Sequence, residues 1–283
     1  VWVTVSAERP DSTVSQEAMA AGTDGSVTVR RDGAVLRLIL DRPSRRNSLT
    51  QAMIGSLVEA LTDAAADDSL RAVHIQGGDD FCAGVDWVAT NDRERPRTGD
   101  LVRRIPHAAH RVIELVASIQ LPVLCSVRGW AAGFGCNLAL AADFTVAADD
   151  AVFWEPFVDR GFSPDSGATW LLPRLVGLAR ARRMLLLGEK VGAVDAADWG
   201  LIHQAVDPAE LDGAAEELLE RLASGPTAAI GLAKQALSFG QHASLSQSMT
   251  QELFNLELSC RTVDFKEGLE AFRQRRPPKF QGR

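Results

Sequence analysis

The chain has 283 residues, of which 46% are hydrophobic and 24% charged, and its formal net charge is −7. This profile is typical of an ordinary globular protein with a sizeable core, in one large domain or two small ones. The acidic balance argues against nucleic acid or an anionic membrane surface as the main partner. No apolar stretch approaches the roughly 20 residues that a transmembrane helix requires.

The first 25 residues are rich in Ser, Thr, Ala and Gly, and they lack the basic start and apolar core of a signal peptide. We therefore expect residues 1–25 to form a flexible tail, with Met19 as a candidate natural start, and the fold to begin near Ser26. Strand and helix patterns then alternate. Residues 27–41 predict two short strands around a turn at Asp32-Gly33, and residues 48–50 open an amphipathic helix.

The next elements are a strand over 71–76, a charged loop over 88–100, a helix broken at Pro106 and ending near Gln120, and a strand over 121–127. The last third of the chain is nearly all helical. Its predicted helices cover 177–188, 193–199, 208–223, 226–239, 244–260 and 263–274. A strand-rich first part followed by a helix-rich second part predicts an α/β core with a helical C-terminal region.

Cysteine and histidine usage gives no sign of a metal centre. The four cysteines are far apart and never adopt C-x-x-C spacing, which favours a reducing cytoplasm over a disulfide or metal framework. His107 and His110 lie three residues apart on a predicted helix, but no carboxylate or cysteine accompanies them at ligand spacing. We expect no metal.

Two segments place small residues where a strand gives way to a helix: DFCAGVDW over 80–87 and RGWAAGFGCNLALAAD over 128–143. Glycine lets the backbone approach a ligand closely. In the second segment, the N–H groups of Phe134 and Gly135 would lie at the start of a helix that begins near Cys136, where free donors and the helix dipole suit an anionic oxygen. Tight packing of a helix on a sheet is the alternative. A dinucleotide fingerprint is absent.

Together and in this order, the segments over 40–49, 81–86, 129–143 and 164–177 resemble the crotonase superfamily of enoyl-CoA hydratases and isomerases. The resemblance continues through 185–206 to 267–280. It implies an α/β crotonase (ClpP-like) fold, with repeated ββα units as its core and a helical C-terminal trimerisation region. We accordingly expect a core with an acyl-CoA site over 26–206 and the helical region over 207–283.

The resemblance also implies the substrate and the binding residues. The substrate is an acyl-CoA thioester whose coenzyme A enters as part of the substrate, so no separate cofactor is expected, and the chain forms a homotrimer or a dimer of trimers. An oxyanion hole is made by the backbone N–H groups of Val85 and Phe134. The implied substrate-binding residues are Ser44, Arg45, Arg46, Asn47, Ala83, Gly84, Asp86, Trp87, Trp130, Gly133, Phe157 and Phe162. A solvated arginine pair and ordinary core aromatics are the alternative interpretations of the charged and aromatic members.

Hydratases of this family use two glutamates around a water, and here the matching positions hold Asn137 and Phe157. Neither side chain can take a proton from water, but the Asn137 amide can orient a group, and the resemblance places Asn137 among the catalytic residues with Val85, Phe134 and Asp165. Glu155 and Asp159 flank Phe157 at offsets that aim them elsewhere. A hydratase that lacks both carboxylates should be a poor one, because general base catalysis contributes about 10²–10⁴ in rate.

One carboxylate, Asp165, remains. Its position resembles that of the catalytic aspartate in dienoyl-CoA isomerases and in the ring-epoxide isomerases of phenylacetate degradation. The resemblance implies an isomerase in which Asp165 carries a proton between two carbons of a thioester enolate. A cap for the helix after Gly167 is the alternative role of Asp165. A true enoyl-CoA hydratase and a weakly active acyl-CoA-binding protein remain the alternatives for the whole chain.

Overall fold

The computed structural model describes residues 25–86 and 98–283. Most of the expected tail, Trp87 and most of the expected loop over 88–100 lie outside these ranges. Six strands form the main sheet in the order β1-β2-β3-β4-β6-β9, with β1 and β2 antiparallel and every other pair parallel. These strands are β1 (Ser26–Asp32), β2 (Val35–Asp41), β3 (Ala72–Gln76), β4 (Val123–Val127), β6 (Phe144–Ala148) and β9 (Gln204–Val206).

A second sheet of three short strands supports the beginning of the second glycine-rich segment. Its strands are β5 (Trp130–Ala132), β7 (Val152–Trp154) and β8 (Val191–Gly192). β5 and β7 are parallel, whereas β7 and β8 are antiparallel. This sheet is not predicted from the sequence, because strands of two or three residues are too short to show an alternating pattern.

The helices agree with the expected order of elements. They are α1 (Gln51–Ala66), α2 (Asp100–Arg104), α3 (Ala109–Ser118), α4 (Phe134–Ala141), α5 (Ala168–Leu187), α6 (Ala193–Asp198), α7 (Leu211–Ala223), α8 (Thr227–Gly240), α9 (Leu245–Ser259) and α10 (Val263–Gln274). The expected break at Pro106 is confirmed, because a 3₁₀ turn over Ile105–His107 separates α2 from α3. No helix within the described ranges is long and apolar enough to cross a membrane.

Two expected helix starts were wrong. The helix expected near Cys136 begins at Phe134, directly after Gly133. The helix expected from 177 begins at Ala168, and its backbone departs from helical geometry at Gly177, with φ 74° and ψ 166°. Gly177 therefore joins two helical segments, and the sequence pattern had indicated only the second one.

The core occupies both faces of the main sheet. On one face, α1 buries Met53, Ile54, Leu57 and Leu61 against the strands, and the side chain of its cap Thr50 accepts a hydrogen bond from the Met53 N–H. On the other face, α7 forms a smaller cluster with the sheet; its members include Leu124, Val146, Leu211, Ala215 and Leu219. The first helix after residue 206 is thus part of the core layer, and the expected division at 207 stays a prediction.

Candidate active site

The two glycine-rich segments meet in one hydrogen-bonded ladder. The Cys82 N–H donates to the carbonyl of Trp130 at 2.9 Å, and the Ala132 N–H donates to the carbonyl of Cys82 at the same distance. Cys82 and Ala131 form a parallel bridge between these bonds. We call the combined surface of residues 82–85 and 131–135 the glycine wall.

Glycine is required in this wall because the backbones lie too close for a side chain. A Cβ at Gly135 would lie 2.1 Å from the Cys82 carbonyl oxygen, which no real Cβ tolerates. Gly84 has φ 103°, and a Cβ there would lie 3.1 Å from the Ala132 carbonyl oxygen. Gly133 has φ 54° and ψ −118°, a conformation that other residues rarely adopt. The glycines therefore set both the approach of the two segments and the direction of the next peptide.

Two residues of the glycine wall line a common pocket, and their backbone N–H groups are candidate donors to a ligand there. Val85 and Phe134 both line it, and neither N–H donates a hydrogen bond to another described residue. Phe134 is the first residue of α4, so its N–H also lies at the positive end of that helix. Two unpaired N–H groups that converge on one pocket can stabilise a negatively charged oxygen.

Asp165 lines the same pocket from the opposite side, on a left-handed turn. Ser166 and Gly167 have φ values of 56° and 86°, and this turn leads into α5. The Oδ1 atom of Asp165 accepts the Ser166 N–H at 2.6 Å and contacts His110 Nε2 at 2.6 Å. We call Asp165, Ser166, Gly167 and His110 the aspartate wall. The helix-cap alternative is wrong, because α5 is capped at Gly167 without a side-chain hydrogen bond.

His110 is a site residue that the sequence analysis considered only as a metal ligand. It lies on α3, 55 residues before Asp165, and its side chain is partly exposed. With Asp165 ionised, a proton on Nε2 makes His110 the donor. Since both hydrogen bonds end on Oδ1, the second oxygen of Asp165 has no partner among the described residues. No local sequence pattern could have indicated this contact, because only the packing of α3 beside the turn creates it.

The remaining lining of the pocket is mainly apolar. Ala83, Gly84 and Gly133 contribute from the glycine wall, as the resemblance implied. Phe157 and Phe162 form an edge-to-face pair with ring centroids 5.5 Å apart, and both line the pocket. Three polar residues that the sequence analysis did not single out also line it: Gln51, Arg104 and Arg160.

Trp130 and Asn137 do not line this pocket. Trp130 instead packs edge-on against Trp154, with ring centroids 5.8 Å apart. Asn137, which the resemblance had placed among the catalytic residues, is fully buried behind the glycine wall, where its Nδ2 donates to the carbonyl of Gly133 at 3.1 Å. Glu155 is also fully buried, and burial raises its pKa well above the ordinary value.

The residues expected along coenzyme A have different surroundings. Ser44 and Arg45 are exposed in a short 3₁₀ turn. Arg46 is exposed too, 3.8 Å from an oxygen of Asp80, and its guanidinium lies 5.9 Å from the Trp130 ring centroid. Arg46 is therefore placed where a solvent-facing phosphate could reach it.

Asn47 and Asp86 hold the backbone and side chains of this region together. Asn47 is buried, its Oδ1 accepts the Arg42 N–H at 2.7 Å, and its Nδ2 donates to the Asp80 carbonyl at 2.6 Å. Asp86 accepts a hydrogen bond from Arg42 Nη1 at 2.9 Å. Both residues thus have structural contacts at the edge of the glycine wall.

No group of three or more His, Cys, Asp or Glu side chains that could hold a metal ion occurs within residues 25–86 and 98–283. Three of the cysteines, Cys82, Cys125 and Cys136, are free and buried. Burial raises the pKa of the Cys82 thiol to about 12, so it is not a ready nucleophile.

Comparison with known proteins gives the family. The family described as enoyl-CoA hydratase/isomerase matches residues 30–283. The chain is 39% identical to 1,2-epoxyphenylacetyl-CoA isomerase of Escherichia coli (strain K12) over 88% of this chain and 95% of that protein. It is 35% identical to 2,3-dehydroadipyl-CoA hydratase of the same organism, over 90% of this chain and 98% of that protein.

A solved structure shows the same fold. The crystal structure of an enoyl-CoA hydratase from Bacillus anthracis superposes with a TM-score of 0.85 at 31% identity, over 91% of this chain and 99% of that chain. The expected mixed α/β crotonase fold with a helical C-terminal region is confirmed. The chain therefore belongs to the enoyl-CoA hydratase/isomerase family of the crotonase superfamily.

Proposed function

We propose that the chain is an acyl-CoA isomerase that moves a double bond, or rearranges a ring epoxide, through a thioester enolate. The observation that carries this proposal is the composition of the pocket. Asp165 is the only carboxylate among the described residues that line it, and Phe157 occupies a position where the family's hydratases hold a glutamate. The similarity to a 1,2-epoxyphenylacetyl-CoA isomerase supports the same choice.

For the double-bond shift, the proposed reaction uses the two walls in turn. The N–H groups of Val85 and Phe134 bind the thioester oxygen, while the free oxygen of Asp165 takes a proton from a carbon next to the double bond. The electron pair left behind spreads into the thioester as an enolate, which the two N–H groups stabilise. Protonated Asp165 then returns the proton to a different carbon, so no water is consumed and the carboxylate is regenerated.

The hydrogen bonds to Oδ1 suit Asp165 for this role. The Ser166 N–H and His110 hold one oxygen of the carboxylate in place, and the other oxygen is left to exchange the proton. The apolar pair Phe157 and Phe162 lines the same pocket as this carboxylate and offers no group that would compete for the proton.

The test is incubation with a panel of enoyl-CoA and ring-epoxyacyl-CoA esters in D₂O, followed by mass spectrometry. We expect isomerised product with deuterium gained at the carbons that exchange protons. Asp165→Asn should lower kcat by about 10²–10⁴ while acyl-CoA binding persists. Rapid hydration of crotonyl-CoA that survives Asp165→Asn would identify a hydratase instead. Tight acyl-CoA binding with neither isomerised product nor deuterium exchange would identify a binding protein.

We also propose that the chain assembles as a homotrimer, or as a dimer of trimers, in the cytoplasm. The C-terminal helices support the assembly, because they present large apolar side chains on their surface. Leu237, Leu253, Phe254 and Phe272 are between 64% and 84% exposed. Surfaces of this kind mark contacts with other chains. Light scattering coupled to size exclusion would show a mass of three or six chains, whereas a monomer would contradict the proposal.

A further inference from the structure

A carboxyl group lies buried behind the glycine wall without a cation to balance it. Glu155 is fully buried, and it forms no ion pair with the residues that the structure describes. Its Oε2 lies 3.5 Å from the Nδ2 atom of Asn137, which is fully buried as well. An isolated charge is strongly disfavoured in such surroundings, and the group becomes neutral instead. Burial accordingly raises the pKa of Glu155 well above its ordinary value.

The hydrogen bonding of this pair is incomplete unless the acid carries a proton. Asn137 Oδ1 and Glu155 Oε1 are buried atoms without a hydrogen-bond partner among the described residues. The Cys136 thiol also contacts Glu155, but an ionised carboxylate only accepts, so Asn137 Oδ1 would remain unsatisfied. A neutral Glu155 has one O–H donor, which can serve the Asn137 carbonyl while the Asn137 amide serves the other acid oxygen. Acid and amide then satisfy one another, and a buried unsatisfied pair is avoided.

Asn137 connects this pair to the glycine wall. Its side-chain Nδ2 and its backbone N–H both donate to the carbonyl of Gly133, at 3.1 and 3.0 Å. The Gly133 N–H donates in turn to the carbonyl of Trp154 at 2.8 Å, one residue before Glu155. Gly133 is therefore held at both of its polar backbone groups by Asn137 and by the strand that leads to Glu155.

The conformation of Gly133 determines the direction of the Phe134 N–H. Gly133 adopts φ 54° and ψ −118°, and such conformations persist only where the surroundings fix them. The peptide that follows Gly133 supplies the Phe134 N–H. A small rotation of that peptide would turn the donor away from the pocket, so the bonds to Gly133 bear directly on the geometry of the proposed oxyanion hole.

We propose that neutral Glu155 and Asn137 are positioning residues that aim the Phe134 N–H at the thioester oxygen. Neither residue lines the pocket, so neither touches the substrate. The amide of Asn137 offers Glu155 both a hydrogen-bond donor and an acceptor, whereas an ionised carboxylate at position 137 would offer acceptors alone. This proposal rests on the proposed thioester chemistry.

The experiment measures the carbonyl of a bound thioester by infrared difference spectroscopy. The probe is butyryl-CoA with a ¹³C thioester carbonyl, a saturated ester that offers no double bond to move. Wild-type protein should shift the carbonyl stretch to lower frequency, as a polarised C=O does. Glu155→Leu and Asn137→Leu should each lose at least half of this shift. They should also lower kcat by about tenfold, with little change in KM, because one well-aimed hydrogen bond is weakened.

Two controls separate positioning from general loss of packing. Glu155→Gln keeps a neutral group of the same shape and should restore most of the shift and of kcat. Leu219→Ala removes buried apolar volume on the other face of the main sheet, so it should lower Tm without changing the shift. Should Glu155→Leu fail to fold, Asn137→Leu provides the same comparison.

The protonation of Glu155 has its own signature. With ¹³C-labelled glutamate, the wild-type protein at neutral pH should show a protonated-acid C=O band that Glu155→Gln removes. If no such band disappears, or if both leucine variants keep the full thioester shift, the positioning proposal is overturned. A wild-type protein that binds butyryl-CoA without any shift would instead overturn the proposed thioester chemistry, so the two failures are distinguishable.

Discussion

The glycine wall and the aspartate wall are built by opposite means. The glycine wall presents backbone N–H groups from two segments bonded to each other, and its side chains have no role in the proposed chemistry. The aspartate wall presents one side chain on a left-handed turn, held by a single neighbour from another helix. Backbone donors suit every reaction that passes through a thioester enolate, whereas the side chain opposite them decides which reaction follows. Isomerase and hydratase names both occur among the relatives of this chain, which fits such a division of roles.

The largest expected effect comes from adding one methyl group to the glycine wall. Gly135→Ala places a Cβ 2.1 Å from the Cys82 carbonyl oxygen, so the two segments must separate. We expect kcat to fall by about 10²–10³, the cost of losing one oxyanion donor. Gly213→Ala on α7 is the matched control, because a Cβ there meets no atom within 4 Å. Wild-type kinetics of Gly135→Ala would show that the wall is not as tightly built as the distances indicate.

A third region, which belongs to neither wall, should govern stability in acid. His74 is buried between Arg37 and Ser126, and Arg37 donates to its Nδ1 at 3.1 Å. Burial, and then the charge of Arg37, lower the pKa of His74 from 6.5 to about 4. Between these values the unfolded chain binds a proton that the folded chain does not, so stability falls as pH falls through this window. The loss approaches about 3 kcal/mol near pH 4.

Urea unfolding at pH 7, 6 and 5 measures this effect, since the free energy of unfolding should already decline between pH 6 and 5. A flat or rising profile over that range would contradict the assignment of a neutral buried His74. Because His74 lies in neither wall, this loss of stability should leave the relative activities of variants in the two walls unchanged.

Removing the neighbour of Asp165 should have an intermediate effect. His110→Leu leaves the carboxylate with the Ser166 N–H alone, and we expect kcat to fall about tenfold with KM nearly unchanged, the value of one hydrogen bond. His107→Leu is the control, because His107 is exposed and does not line the pocket. Equal kinetics for both variants would mean that the contact with His110 has no part in the reaction.

The smallest expected effect is at the left-handed turn of the aspartate wall. Ser166→Gly should change the free energy of unfolding by less than about 1 kcal/mol, because relief of strain at φ 56° is offset by a more flexible unfolded chain. Ser166→Val should be clearly less stable, since branched residues strongly avoid this conformation. Thermal unfolding of the two variants side by side makes the measurement. Equal stability would show that the turn relaxes.

The sequence predicted those parts of the site that depend on local pattern. Small residues before an apolar helix predicted free donors at Phe134 and Gly135, and the structure has that helix, beginning at Phe134 rather than near Cys136. The amphipathic spacing of Met53, Ile54 and Leu57 predicted α1 and its buried face. These features follow from the geometry of single elements, which residue order determines directly.

The missing parts depend on contacts between distant elements. The pair His110 and Asp165 exists because α3 passes beside the turn before α5. Asn137 was expected in the site. It lies on the same helix, α4, as the pocket-lining residue Phe134, but its side chain leaves the helix in a different direction and is buried behind the glycine wall. A family pattern specifies which position a residue holds, whereas the direction of its side chain is settled by packing against strands such as β7, which were too short to predict.

The hydrogen-bonded ladder between Cys82 and Ala132 also determines when the two backbone donors are brought together. The amides of these residues are bonded across the seam that carries both backbone donors, so the donors cannot separate without breaking that seam. Under the proposed function, the acyl-CoA meets a surface that was completed during folding, and no part of each turnover is spent on assembling it. Motions that admit the substrate and release the product would then involve other parts of the pocket lining, such as α2 and the turn after Phe157.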